Sequence, residues 1–160
     1  MSEILGTLFK YLLSLLGVGA AVAALYQGFG SNKTQTFVSD ITLLQSNVTS
    51  LYQGAAGGFV TLTNAVAISG KLAPTDMISG AALTTPWGGT ATLAGTATQY
   101  TITSTQVPND ACAKAASSFP TALAIGVGAA GATAVALPAD PGTVAGQCAA
   151  TNTMIFTFGK

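Results

Sequence analysis

Side chains able to do covalent, acid–base or metal chemistry are few in this chain. Its 160 residues hold five acids, five lysines and two cysteines, with neither histidine nor arginine. The commonest general base and the commonest metal ligand are therefore missing. Asp40, Asp76, Asp110 and Asp140 are scattered, and no two have a spacing that argues for acid–base catalysis. Asp76 and Asp110 read as turn and helix-cap residues. Serines and threonines abound, but no base is placed beside one. Gly126-Val127-Gly128 and Gly57-Gly58 lack the strand–turn–helix setting and the lysine of a phosphate loop, and read as flexible loops. The expectation is no catalytic, cofactor-binding or metal-binding residue, no cofactor and no enzyme. A net charge of zero leaves no basic patch to hold a phosphate backbone, so no direct nucleic-acid binding is expected. What remains is Cys112 and Cys148 in the polar C-terminal half. Two cysteines in a chain of exported character suggest one disulfide, the alternative being two free thiols in a cytoplasmic protein.

The composition points to buried contacts rather than chemistry. Hydrophobic residues make up 49% of the chain and charged residues 6%, against about 25% charged in a typical soluble domain. Much of this surface must be covered by membrane or by partner subunits. Tyr11 to Leu25 carries no charge, and Lys10 is the one charge between Ile4 and Phe29. At about 1.5 Å per residue, such a helix nearly matches a hydrocarbon core of about 30 Å. The residues before it are not basic, which argues against a cleavable signal peptide. Phe37, Ile41, Leu44, Val48 and Leu51 then recur at steps of four and three, one apolar stripe on an amphipathic helix, until Gln53-Gly54 ends it. Residues from about Ile4 to Gln53 could form a single helix about 75 Å long. Gly17, Gly19, Gly28 and Gly30 predict stretching or local unwinding between Gly17 and Ser31, the alternative being a straight helix that uses small residues for close packing.

From Phe59 onward the pattern is that of a small α+β head. A short helix is expected over Asn64 to Ile68, capped by Thr63, with a loop over Gly70 to Met77 and a turn at Pro86-Trp87-Gly88-Gly89. Trp87 reads as a packing anchor, the alternative being a sugar- or adhesin-type contact. Strands are expected over Thr90 to Leu93, Gln99 to Thr105, Leu123 to Val127, Thr133 to Leu137 and Thr153 to Phe158. A helix is expected over Ala111 to Ser117 and a loop over Pro138 to Gly146. Tyr100, Ile102 and Ser104 share one strand face, and Met154, Phe156 and Phe158 another.

These features together resemble the type IVb pilins, which include the toxin-coregulated and bundle-forming pilins and the thin-pilus subunits of conjugative plasmids. The resemblance is carried by the apolar-then-amphipathic helix and by Thr84-Thr85-Pro86-Trp87-Gly88-Gly89, similar to an N-P-W-G-G turn. It is also carried by Val107-Pro108-Asn109-Asp110-Ala111-Cys112, similar to a V-P-x-x-x-C helix start, and by Cys148 before a final strand. It implies an α+β pilin-like fold, with a long N-terminal α-helix packed on an antiparallel β-sheet head and one disulfide, Cys112–Cys148. Three parts follow: 1–30, a membrane anchor and later filament core; 31–54, the amphipathic helix continuing into the head; and 55–160, the globular head. The resemblance implies a mature form beginning at or near Met1, with a leader removed and the new terminus methylated by a prepilin peptidase. Assembly would run through Glu3, Leu5, Leu12, Leu16, Val22 and Leu25, and head packing through Phe37, Ile41, Leu44, Val48 and Leu51. Family pilins carry a glutamate at the fifth mature position. Leu5 stands there, so Glu3 is expected to take that role from a shifted start, the alternatives being a different register contact or a place among lipid headgroups. The implied partners are other copies of the chain in a helical homopolymer, the inner membrane before assembly, the pilus machinery, and a host or recipient-cell surface. The implied location is an extracellular pilus of a Gram-negative bacterium. A minor pilin, a secretion-system pseudopilin and a non-assembling membrane-anchored periplasmic domain are the alternatives.

Overall fold

The computed structural model describes residues 32–160. The expectations placed on 1–31, including the anchor, the assembly residues Glu3, Leu5, Leu12, Leu16, Val22 and Leu25, and unwinding near the glycines, lie outside the described residues. The first described element, α1, is a helix over 32–52. Phe37, Ile41, Leu44 and Val48 have no exposed surface, so the three-four spacing faces the core. Leu51 departs from the expected stripe, with 56% of its surface exposed, and Tyr52, 5% exposed, takes the last core position. At 100° per residue, Leu51 and Tyr52 both lie roughly 50° from the centre of the stripe, on opposite flanks. The neighbourhood decides between them. Tyr52 stacks on Phe59, with ring centroids 5.6 Å apart, and its hydroxyl lies 3.2 Å from that of Thr61.

A seven-stranded antiparallel sheet carries the rest of the core, in the order β1-β2-β3-β4-β7-β5-β6. Its strands are β1 (Ile78–Ser79), β2 (Ala82–Thr84), β3 (Thr90–Gly95), β4 (Gln99–Pro108), β5 (Ala124–Val127), β6 (Thr133–Val135) and β7 (Thr151–Gly159). The centre is β4 against β7, with Tyr100 opposite Phe158 and Ile102 opposite Phe156. Alternation puts Tyr100, Ile102 and Ser104 of β4, and Met154, Phe156 and Phe158 of β7, on the buried face. Between Ser104 and Val107 the register shifts, and Gln106 adopts φ 59°. That extra residue is a bulge, which turns Val107 back into the core. Aromatic rings run in a chain through the core: Trp87 on Phe37 at 5.2 Å, Phe37 to Phe156 at 6.3 Å, and Phe156 to Phe119 at 4.8 Å. The chain continues from Phe119 to Phe158 at 6.2 Å, on to Tyr100 at 5.5 Å and to Phe59 at 4.7 Å. Trp87 thus packs against the first stripe residue of α1.

Three further helices brace the sheet. In α2 (Asn64–Ser69), the hydroxyl of Thr63 accepts from the Val66 N–H, capping the helix start. A single turn, Thr75–Met77, interrupts the expected Gly70–Met77 loop and buries Met77. The strands β1 and β2 carried no expectation; they are two and three residues long, too short to show a period. In α3 (Asn109–Ser117), Ala111, Cys112, Ala115 and Ala116 face inward. The expected Pro138–Gly146 loop instead contains α4 (Pro141–Gln147). Pro141 suits the first helical position, and the Asp140 carboxylate accepts from both the N–H and the hydroxyl of Thr143 at 2.8 Å.

Candidate assembly surface

Two glycines fasten the segment after α1 to the β3–β4 hairpin. Gly58 has φ +62°, and a Cβ there would collide with the Ala97 carbonyl. A Cβ at Gly95 would collide with the Phe59 carbonyl. The backbones are therefore close enough for Phe59 N–H to donate to Thr96 O at 2.9 Å. Lys160, the last residue, returns to the same place and donates from Nζ to Ala55 O at 3.1 Å. On one flank of α1 Asn47 donates to Leu72 O at 2.8 Å, and on the opposite flank Gln45 donates to the Thr121 hydroxyl at 3.1 Å. These contacts hold α1 on both flanks and leave its outward face to Thr42, Ser46, Thr49, Ser50 and Gln53, which line a shallow open groove.

Cys112 and Cys148 are joined by a disulfide with Cα atoms 6.1 Å apart, which ties α3 to the end of α4. The turn after it is pinned by Asn152, 1% exposed. Its amide accepts from Ala149 N–H at 2.8 Å and donates to Ala149 O at 2.8 Å and to Val107 O at 3.2 Å. Asn109 adds a bond to Cys148 O at 2.9 Å. Asn152 was not singled out from the sequence, and Asn109 only as part of the helix-start motif. An amide two positions into a strand pattern carries no signal until the bulge and the disulfide turn are placed around it.

The charged residues do not converge on a reaction. Asp76 sits in the single turn before β1, Asp110 in the first turn of α3 and Asp140 at the start of α4. The two bonds from Thr143 hold the Asp140 carboxyl below its ordinary range. Asp40, which lies off the apolar stripe of α1, is the one acid among the described residues that is covered. It is 5% exposed, and burial first, then the charge of Asp76, pushes its pKa up to about 6. It lies roughly 70° from the stripe centre, close enough to the seam to be covered when the flank packs down. The outward face of the sheet is of a different kind. Across its central strands Thr92 lies opposite Thr103, and Ala94, Thr101 and Thr157 form one row. No charged residue occurs in β3, β4 or β7. Four large apolar side chains, Leu43, Leu51, Val60 and Leu123, are about half exposed. Among the described residues no helix is long and apolar enough to cross a membrane.

Comparison with known proteins decides what this frame is. The family model described as PilS N terminal matches residues 31–159. The chain belongs to that family, a family of type IV pilins. A crystal structure of a type IVb pilin from Salmonella typhi superposes with a TM-score of 0.64 at 18% identity, over 79% of this chain and 99% of that one. No curated protein matches the sequence. The fold is thus the α+β pilin fold of the type IVb kind, with α1 packed on an antiparallel sheet and the Cys112–Cys148 disulfide. Pilins are structural subunits, not enzymes, which agrees with the dispersed acids. Membership in a pilin family implies self-assembly into pili and points to an extracellular pilus.

Proposed function

We propose that the chain is the major structural subunit of an extracellular type IVb-like pilus, serving adhesion, aggregation or conjugative cell contact. The observation that carries this reading is a division of labour along the N-terminal sequence. Tyr11 to Leu25 is uncharged, whereas the stripe of α1 further along is already fully buried within its own head. The first run is therefore the part left to bury itself elsewhere, in the inner membrane before assembly and among the same runs of other copies afterwards. Lipid and a bundle of apolar helices satisfy it equally, so a subunit can pass from one to the other at small cost once a machine extracts it. The division into an anchor and core over 1–30, a linking helix over 31–54 and a head over 55–160 follows from this reading. Processing by a prepilin peptidase and handling by the pilus machinery belong to it as well. A filament needs heterologous contacts that do not close. Uncharged hydroxyl-rich faces suit such contacts, since they impose no like-charge repulsion between identical subunits.

Electron microscopy of material sheared from producing cells tests the proposal. Thin regular filaments built mainly of this chain are expected. Finding the chain only in the membrane fraction, with no filaments, would replace this reading with a minor pilin, a pseudopilin or an anchored domain that does not assemble.

A further inference from the structure

Trp87 is packed on one side and open on the other. Its ring lies against Phe37, with centroids 5.2 Å apart and planes 58° from parallel, yet the residue is only partly buried. An enclosed indole N–H usually finds an acceptor. Among the described residues the Trp87 Nε1–H donates to none, and the enclosed side-chain atoms without a partner are Ser104 Oγ and Gln147 Oε1. The Trp87 N–H therefore opens outward. The turn that presents it, 85–89, is fixed. Thr85 N–H donates to Gly89 O and Gly88 N–H to Thr85 O, both at 2.9 Å, and the Thr85 hydroxyl accepts from Gly89 N–H at 3.0 Å. A Cβ at Gly89 would collide with the Thr105 carbonyl, so the turn is pressed onto β4. No charged residue lies between Asp76 and Asp110. Around Phe37, α1 carries the exposed Lys33 about one turn earlier and the covered Asp40 about one turn later.

Chain continuity says what lies next to this end of the head. The apolar sequence closes with Tyr26 and Phe29, three residues before Asn32, the first described residue of α1. Helix side chains lean toward the N-terminus, so the Phe37 ring, with Trp87 on it, lies over the first turn of α1. We propose that Trp87, on its rigid 85–89 turn, is the point at which the head rests on the lipid headgroup layer before assembly. This rests on the reading of 1–30 as a membrane anchor. Three residues span about 5 Å as helix and at most about 11 Å extended, against a headgroup layer about 5–7 Å deep. With the apolar run in the hydrocarbon, the first turn of α1 starts in that layer or just above it. An indole with one apolar face and an unpaired N–H suits such a layer, where the ring meets acyl chains and the N–H meets lipid oxygens. Lys33 adds a positive charge toward lipid phosphate, and the turn brings no negative charge to be repelled. On extraction the N–H exchanges lipid oxygens for water, so the contact orients the head without holding the subunit back.

Trp87 is the sole tryptophan of the chain, so indole emission reports this position alone. The full chain is reconstituted into phosphatidylcholine–phosphatidylglycerol vesicles, floated, and its emission compared across three lipids: unbrominated, brominated near the headgroup end of the acyl chains, and brominated near their methyl end. Loss of emission to the shallow bromine, with little loss to the deep one, is the expected result. Flotation scores the anchor separately. A chain that does not float overturns the reading of 1–30 and this inference with it. A chain that floats but loses no emission to the shallow bromine overturns this inference alone. Aqueous iodide then says where the indole is instead: quenching by iodide puts it in water clear of the bilayer, and shielding from both quenchers means that a second copy covers it. Equal loss to the two bromines would place the indole in the hydrocarbon and would also overturn the headgroup contact.

Discussion

At Asn64 one side-chain amide donates to Ala91 O at 2.9 Å and accepts from Leu93 N–H at 2.7 Å. The β2–β3 pairing ends at Leu83 opposite Ala91, so this amide occupies the stretch of β3 that β2 does not reach. Individual side chains of this kind, with the fully buried α1 stripe, set the stability of the head. Ile41→Ala should lower unfolding free energy by about 2–5 kcal/mol, from lost transfer energy and the cavity left behind. Leu51→Ala should change it by less than about 0.5 kcal/mol, since the side chain is half in water. Urea denaturation of the full chain in micelles separates the two, and comparable losses would mean that Leu51 is covered. The sequence period alone could not make this distinction. It identified the side of α1 that faces inward, but Leu51 and Tyr52 straddle that side evenly. The choice depends on Phe59 and Thr61 arriving beside one flank, which no helical period encodes. Asp40 escaped notice for the same reason.

At the scale of elements, legibility followed length and periodicity. α1 and the long strands β4 and β7 carry clear 3.6- and 2-residue patterns, and their burial alternates accordingly. α4 did not show itself, because Pro141-Gly142-Thr143-Val144-Ala145-Gly146-Gln147 is rich in poor helix formers. Its existence rests on the Asp140 cap, on burial of Val144 and on its tether to α3 through Cys112–Cys148. That tether closes a loop of 36 residues, worth about 4 kcal/mol in the chain-entropy model. Cys112→Ser with Cys148→Ser should lower stability by about that much. It should also make 138–150 the first site of limited proteolysis, since α4 has little intrinsic helicity to fall back on. Cleavage first within α1 or β4 instead would show that α4 is held by packing alone. The cysteines were the most legible part of the site, because an exported chain with two of them leaves few alternatives.

At the scale of the molecule, the strand order was beyond the sequence. β7, the last strand, lies between β4 and β5, and these neighbours come from distant parts of the chain. Alternation tells a strand which face is buried but not which partner it takes. The charge balance, by contrast, can be read directly, and it bears on assembly. Zero net charge and 6% charged residues mean that copies neither attract nor repel one another strongly at long range. In the proposed filament, association would then come from apolar contact in the Tyr11–Leu25 run and from close fit between heads. A single charge in that run should matter more than several on the head. An aspartate at the centre of a membrane-spanning helix costs about 2.5–3.5 kcal/mol on insertion scales, and in a filament core the penalty recurs at every subunit. Leu16→Asp and Val22→Asp should each abolish filaments seen by electron microscopy of sheared material. The head should keep its disulfide and the β4–β7 exchange protection of the parent, since Cys112, Cys148 and both strands lie far along the chain from the substituted positions. Loss of filaments together with loss of that protection would mean the variant had failed to fold rather than to assemble. Normal filaments from either variant would place the filament core elsewhere in the chain.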